Sequence, residues 1–260
     1  MPNPSHTRRV KGLVRHTLDQ LLLVDVVRFG VVALRYWWYV IVLRRLKTFD
    51  VATGAVGAVA GNTIAHNVKG LRDLAVNRSH LLVRPLSVIE RLAVDARVLS
   101  IGPRSEGELF NLVAHGFVWN RVRGLDLISY SPRVMLGDMH AAPLPDDSFD
   151  AVILGWVLAY SDDRERAARE VVRVTCNGGV IAVGVEYSPQ SQAEIVQQIG
   201  YLPGSEHRIA SCDEILRYFG NAVGHVYYHH TVAPVDRDRV GAFCVIFSVH
   251  KQPRSTAATD

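Results

Sequence analysis

Three cysteines, four lysines and no uninterrupted apolar run of membrane length set the first limits on this 260-residue chain. Cys176, Cys212 and Cys244 are few, odd in number and without metal-ligand spacing. A disulfide framework and a structural zinc site are thereby excluded. Buried thiols in a reducing compartment fit better, so the expected location is cytoplasmic. The net charge of +4 comes without a dense basic block. That argues against nucleic acid as a partner and leaves only modest attraction to an anionic membrane. No internal repeat is present, which removes solenoid architectures. Arginine outnumbers lysine 25 to 4, the mark of a GC-rich bacterial genome and not of a function.

What is present is a chain with 48% hydrophobic residues, enough for one sizeable α/β core with an added subdomain. Residues 1–10 are polar and carry Pro2 and Pro4, predicting a flexible arm. Residues 12–46 are helical in pattern and very apolar. Within them, residues 29–43 form a run of 15 with Arg35 in its middle. A membrane span needs about 20 apolar residues, and a central arginine is costly there. A small-residue cleavage site is also missing, so a signal peptide is not indicated. The expectation is a pair of amphipathic helices forming a lid or a dimerisation seam, in a homodimer without an integral span. The alternative is a peripheral membrane helix, with Tyr36, Trp37, Trp38 and Tyr39 at the interface and Arg44 and Arg45 near headgroups. Residues 50–70 read as a Gly- and Ala-rich loop and a short helix, and residues 81–93 have helical spacing.

Near Asp95 the pattern becomes an alternation of short apolar runs and helices. Strands are expected at 97–101, 123–127, 134–138, 149–154, 180–186, 223–232 and 242–250, and helices at 106–114, 164–174 and 211–219. Asp162 and Glu165 stand in capping-box positions. Alternating elements predict an α/β, Rossmann-like, doubly wound and mostly parallel seven-stranded sheet. The last two strands are joined without a helix, so the final strand should be antiparallel. The predicted organisation is a helical N-terminal extension over 1–94, a main domain over 95–251 and a flexible tail over 252–260.

Residues 97–187 resemble the class I S-adenosylmethionine-dependent methyltransferases. The segment GDMHAAPLPDDSFDAVILGWVLAY, residues 137–160, carries most of the likeness. The strand GLDL ends in Asp126, where that family has its ribose-binding acid, 24 residues after Gly102 against a usual spacing of about 20. The resemblance implies S-adenosylmethionine as cofactor, held by Ile101, Gly102, Pro103, Arg104, Glu106, Asp126, Asp138, Met139 and Trp156. Asp138 would accept from the adenine amino group, and Met139 would cover the ring. The loop IGPRSEGE departs from the family's glycine-rich form. Because this cofactor has no phosphate, Gly102 need only let its methionine part pass close to the backbone. Arg104 would then pair with the carboxylate of that part and Glu106 with its ammonium. Ser100 replaces the acid usual in the first strand.

Methyl transfer is a displacement that the protein promotes chiefly by alignment, and a hydroxyl acceptor gains from a general base. The candidates are His140, Tyr160 and Glu186; His229 and His230 face opposite sides of a late strand. A Mg²⁺ site built from Asp162, Asp163 or Glu186 is the metal alternative. The aromatic hole with a Cys or Pro-Pro signature, found in base methyltransferases, is absent, and so is a nucleic-acid module. A small polar acceptor is therefore expected. The composition and the SIGPRSEGE loop resemble the bacterial, mycobacterial-type sugar O-methyltransferases of polymethylated polysaccharide synthesis, which implies a carbohydrate hydroxyl. A lipid or quinone at a membrane surface is the alternative acceptor, and a non-catalytic cofactor-binding scaffold the alternative class.

Overall fold

A strand buried on both faces shows as a continuous apolar run, and the segment VLSI at β2, Val98–Ile101, is such a strand, buried at all four positions. The computed structural model describes residues 19–50, 58–71, 77–93, 95–200, 205 and 207–252. The expected N-terminal arm, the first turn of the apolar segment and the tail beyond residue 252 lie outside them.

In chain order the main elements begin with α1, Asp25–Tyr36, which runs on into a π-helical turn, Trp37–Val42. β1, Lys47–Thr48, α2, Ala58–Gly70, and α3, His80–Ser87, complete the extension. The main domain follows β2 with α4, Glu106–Ala114, β3, Val122–Asp126, β4, Ile128–Ser129, and β5, Val134–Leu136. Then come β6, Phe149–Gly155, α5, Arg164–Val174, β7, Thr175–Tyr187, and α6, Gln192–Ile199. α7, Cys212–Phe219, β8, Val223–His230, and β9, Gly241–Val249, close the domain.

The seven-stranded sheet has the order β5-β3-β2-β6-β7-β9-β8. The first five strands of that order are mutually parallel, and β9 runs antiparallel to both its neighbours. The Rossmann-like sheet and its antiparallel last strand are thus as the sequence predicts. α3 and α4 cover one face through Leu82, Leu86, Leu109 and Leu112. α5 and α7 cover the other through Ala167, Val171, Ile215 and Phe219. The chain leaves β2 towards β3 and β5 and later turns the opposite way through β6 and β7. The switch point falls between β2 and β6, and open α/β sheets bind ligands in the crevice outside the carboxyl ends of such strands.

Two local readings change. Asp163, not Asp162, caps α5 by accepting from the Arg166 N–H at 3.0 Å, so Glu165 falls outside capping-box register. α6, absent from the sequence reading, is set by a Ser191–Glu194 capping box and stopped by Gly200 in the left-handed region.

The extension is stitched to the main domain. β1 pairs antiparallel with β4, Lys47 opposite Ser129. Tyr36, Tyr39, Val40, Leu46 and Ile64 pack on Leu71, Ile128 and Tyr130. Among the described residues no helix is long and apolar enough to cross a membrane.

Candidate active site

The loop after β2 has a backbone that few side chains tolerate. Gly102 has φ +69°, and a Cβ there would lie 2.0 Å from Cγ1 of Val157. Glycine is therefore demanded twice, by conformation and by close approach. Arg104 follows with φ +54°, an uncommon value for a residue with a side chain. Its N–H donates to Oδ2 of Asp126 at 2.7 Å, while the Ile128 N–H donates to Oδ1 at 3.2 Å. Asp126 thus ends β3, as expected, and also braces the loop opposite. Burial pushes its carboxyl up to about 6, with the backbone N–H groups of Arg104 and Ile128 pulling the other way.

The expected pairing of Glu106 with the cofactor's ammonium is corrected by the structure. The Glu106 carboxylate is fully buried and already taken. Arg35 of α1 grips it with both Nε and Nη2, the latter at 2.8 Å, and the Ser131 hydroxyl donates to it as well. Arg35 itself lies over the rings of Tyr39, Phe110 and Trp119, 5.2–5.6 Å from their centres. Arg104 turns its guanidinium towards α2, close enough that a Cβ on Gly70 would meet Nη1 at 2.6 Å.

The acid missing from β2 is replaced from the neighbouring helix. Ser100 donates to the carboxyl of Glu108, which is buried against Gly155 of β6. A Cβ on Gly155 would come to 2.9 Å from Oε2 of Glu108. Burial pushes Glu108 up to about 7; the Ser100 hydroxyl and the charge of Arg78 oppose that rise, and the charge of Asp126 adds to it. Sequence reasoning missed Glu108, although a serine in the acid's place, facing a glutamate eight residues on, was the available signal.

Beyond β5, Asp138 accepts from the His140 N–H at 3.0 Å and contacts its Nδ1 at 2.7 Å. The other ring nitrogen of His140 pairs with the Ser161 hydroxyl at 2.6 Å. Burial works against ionisation of Asp138, and the His140 hydrogen bonds more than offset it, holding the carboxyl below its ordinary value. Its Oδ2 is buried without a hydrogen-bond partner among the described residues. Met139 packs half-buried on the core beneath. Trp156, after β6, has φ +70°, a buried ring and an Nε1 without a hydrogen-bond partner among the described residues. Arg78 lies 5.4 Å over its ring and pairs with Glu186 at 3.1 Å. Tyr160 sits half-buried on the short helical turn, Leu158–Tyr160. Strained backbone at Arg104 and Trp156 therefore gathers at the carboxyl ends of two adjacent strands, where functional sites store strain.

His229 and His230 belong to β8, with three strands between it and β2, away from the crevice. The Mg²⁺ alternative lacks a donor set: among the described residues no three His, Cys, Asp or Glu group together. Asp163 caps a helix and Glu186 is tied to Arg78.

S-adenosylmethionine can be tested against these residues. The unpartnered Oδ2 of Asp138 is an acceptor in need of a donor, as an adenine amino group would be. Gly102 carries no Cβ at the switch point, where Val157 packs against it, and Asp126 ends the strand beside it. The residues fit the group.

Residues 107–183 match the methyltransferase domain family. A malonyl-[acyl-carrier protein] O-methyltransferase of Halorhodospira halophila is 36% identical over 64 residues, 25% of this chain and 21% of that protein. The ubiquinone/menaquinone biosynthesis C-methyltransferase UbiE of Hahella chejuensis is 27% identical over 172 residues, 64% of this chain and 61% of that protein. The chain thus spans about a fifth of the first relative's length and about three fifths of the second's. A structure of the complex between the Haloferax volcanii Trm112 methyltransferase activator and a methyltransferase aligns with a TM-score of 0.54 at 15% identity. It covers 75% of this chain and 99% of that one. Residues 107–183 are thus similar to a methyltransferase domain, and the fold is the one seen in the aligned methyltransferase structure.

Proposed function

We propose that the chain transfers the methyl group of S-adenosylmethionine to an oxygen of a small acceptor bound where Arg78, Trp156 and Glu186 meet. The observation that carries this reading is the Arg78–Glu186 pair at the end of β7. Both side chains keep substantial solvent access, so a polar acceptor can enter between them. The cofactor supplies an electrophilic methyl group. Asp126 would hold the ribose hydroxyls, Asp138 and Met139 the adenine, and Ile101, Gly102 and Pro103 the passage of the methionine part, with Arg104 as its carboxylate's partner. Glu186 would take the proton of the acceptor hydroxyl, with Arg78 holding the carboxylate in place. His140 has both ring nitrogens engaged, which suits a positioning residue for Asp138 more than a base.

A sugar hydroxyl in saccharide biosynthesis meets this description, in a cytoplasmic enzyme. A lipid or quinone acceptor is the second reading, favoured by the exposed apolar face of α1 and by the quinone-pathway relative. Release of S-adenosylhomocysteine should be followed with free glycosides, and with quinols in mixed micelles. Turnover on glycosides, lost in Glu186→Gln with cofactor binding intact, supports the first reading. Turnover on quinols alone transfers the proposal to the second, and cofactor binding without turnover on either acceptor favours a scaffold.

A further inference from the structure

α1 has two unlike faces. Arg28, Val32, Arg35, Tyr36 and Tyr39 recur at helical spacing and turn inward. Both arginines are neutralised there: Arg28 donates to the Leu22 carbonyl at 2.9 Å and to Asp25 at 2.6 Å, and Arg35 grips Glu106. The outward face has no charge at all. Val26 is 79% exposed, Leu34 65%, Ile41 57%, Trp37 51% and Trp38 49%. A contiguous exposed apolar surface of this kind marks an interaction site.

Charge decides what covers it. The first 49 residues hold nine Lys and Arg against two Asp and Glu, whereas the remaining 211 hold twenty against twenty-three. The cationic excess of the sequence therefore lies in its first 49 residues, where Arg28 and Arg35 are paired with Asp25 and Glu106. Arg44, Arg45 and Lys47 are exposed just past the helix end, with Arg45 lying 6.0 Å over the Tyr39 ring. An in-plane amphipathic helix with tryptophan at headgroup depth and basic residues around it is the arrangement that anionic bilayers bind. A second copy of the chain would bring the same positive excess to the contact.

We infer that the outward face of α1 and its π-helical continuation dock the protein on an anionic phospholipid surface, lying in the interface without crossing it. This inference is independent of the acceptor and of the methyltransferase reading.

The full-length chain should be floated with vesicles of phosphatidylcholine alone and with vesicles containing 30% phosphatidylglycerol. Binding should be at least tenfold tighter to the anionic vesicles and should weaken with salt. Tryptophan emission should be quenched by brominated acyl chains. Leu34→Glu, whose side chain faces solvent, should keep the native circular dichroism and melting temperature and lose at least tenfold in partitioning. The double variant Arg44→Glu, Arg45→Glu should lose the preference for anionic lipid. Equal partitioning of wild type and Leu34→Glu, or no vesicle binding together with a dimer that Leu34→Glu dissociates, overturns the inference, the latter in favour of a second copy.

Discussion

Replacing Glu108 with glutamine should become more favourable to stability as pH rises from acid to alkaline. The carboxyl is fully buried between Ser100 and Gly155, and burial raises it from 4.5 to about 7. The folded state therefore binds this proton more tightly than the unfolded chain. Its contribution is fully present below pH 4.5 and is lost as pH rises through about 7. A rise of that size, at about 1.4 kcal/mol per unit, amounts to about 3 kcal/mol at alkaline pH. Glutamine has nearly the same shape, can accept from Ser100 through its carbonyl and cannot ionise. Any misfit of its amide is a constant offset with pH, so the difference between the two pH values isolates the titration. Urea unfolding at pH 5 and pH 9 should show Glu108→Gln gaining about 3 kcal/mol relative to wild type across that interval. Asp126 is raised in the same sense, but it is present in both proteins and cancels. Parallel stability curves for the two proteins would refute the argument, because they would mean that Glu108 has the same affinity for its proton folded and unfolded.

Asp126→Ala should weaken S-adenosylhomocysteine binding by about 1–3 kcal/mol in titration calorimetry, the worth of a hydrogen bond to a charged group; unchanged affinity in a folded variant would remove Asp126 from the ribose site. Arg104→Ala should lower affinity for S-adenosylmethionine far more than for adenosine, and equal losses would assign it a folding role. Arg35→Met leaves the buried Glu106 carboxylate without its cation, so denaturant unfolding at pH 7 should show a loss of about 3 kcal/mol, near the lower end for a broken buried pair because Arg35 keeps partial solvent access. Gly102→Ala combines a left-handed backbone with a contact of 2.0 Å to Val157 and should cost at least about 1–3 kcal/mol in the same assay.

The sheet was legible because its strands are short apolar runs punctuated by glycine and by acids at their carboxyl ends. Helices 106–114 and 164–174 have the bounds read from their apolar spacing. The antiparallel β9 followed from a connection too short for a crossover. α6 went unread because its apolar stripe is short and its residues mostly exposed, so the capping box carries the signal alone. Position was legible where a residue sits at the end of its own strand: Asp126 ends β3, and Asp138 follows β5 by two residues. The site was illegible where partners lie far apart in the chain. Glu106 was read with its neighbour Arg104, but Arg35, 71 residues away, claims it. The Ser100–Glu108 substitution is hidden for a related reason: it exchanges a side chain on one element for a side chain on the next.

The Arg35–Glu106 pair also bears on whether α1 is a lid. Swinging α1 away would separate Arg35 from a carboxylate that has no solvent access and would uncover Tyr36, Tyr39 and Val40, which pack on Ile128 and Tyr130. Breaking a buried pair costs about 3–5 kcal/mol before any apolar exposure is added. At about 1.4 kcal/mol per factor of ten, the swung-out form would be populated below about one molecule in a hundred. A lid must open on every turnover, so so small a population would tax the catalytic rate. A mount has no such requirement. The inward face of α1 fixes the N-terminus of α4, and through it the loop at Gly102, while the outward face is left bare. Under this argument the helix holds the crevice in one orientation relative to whatever surface the bare face meets.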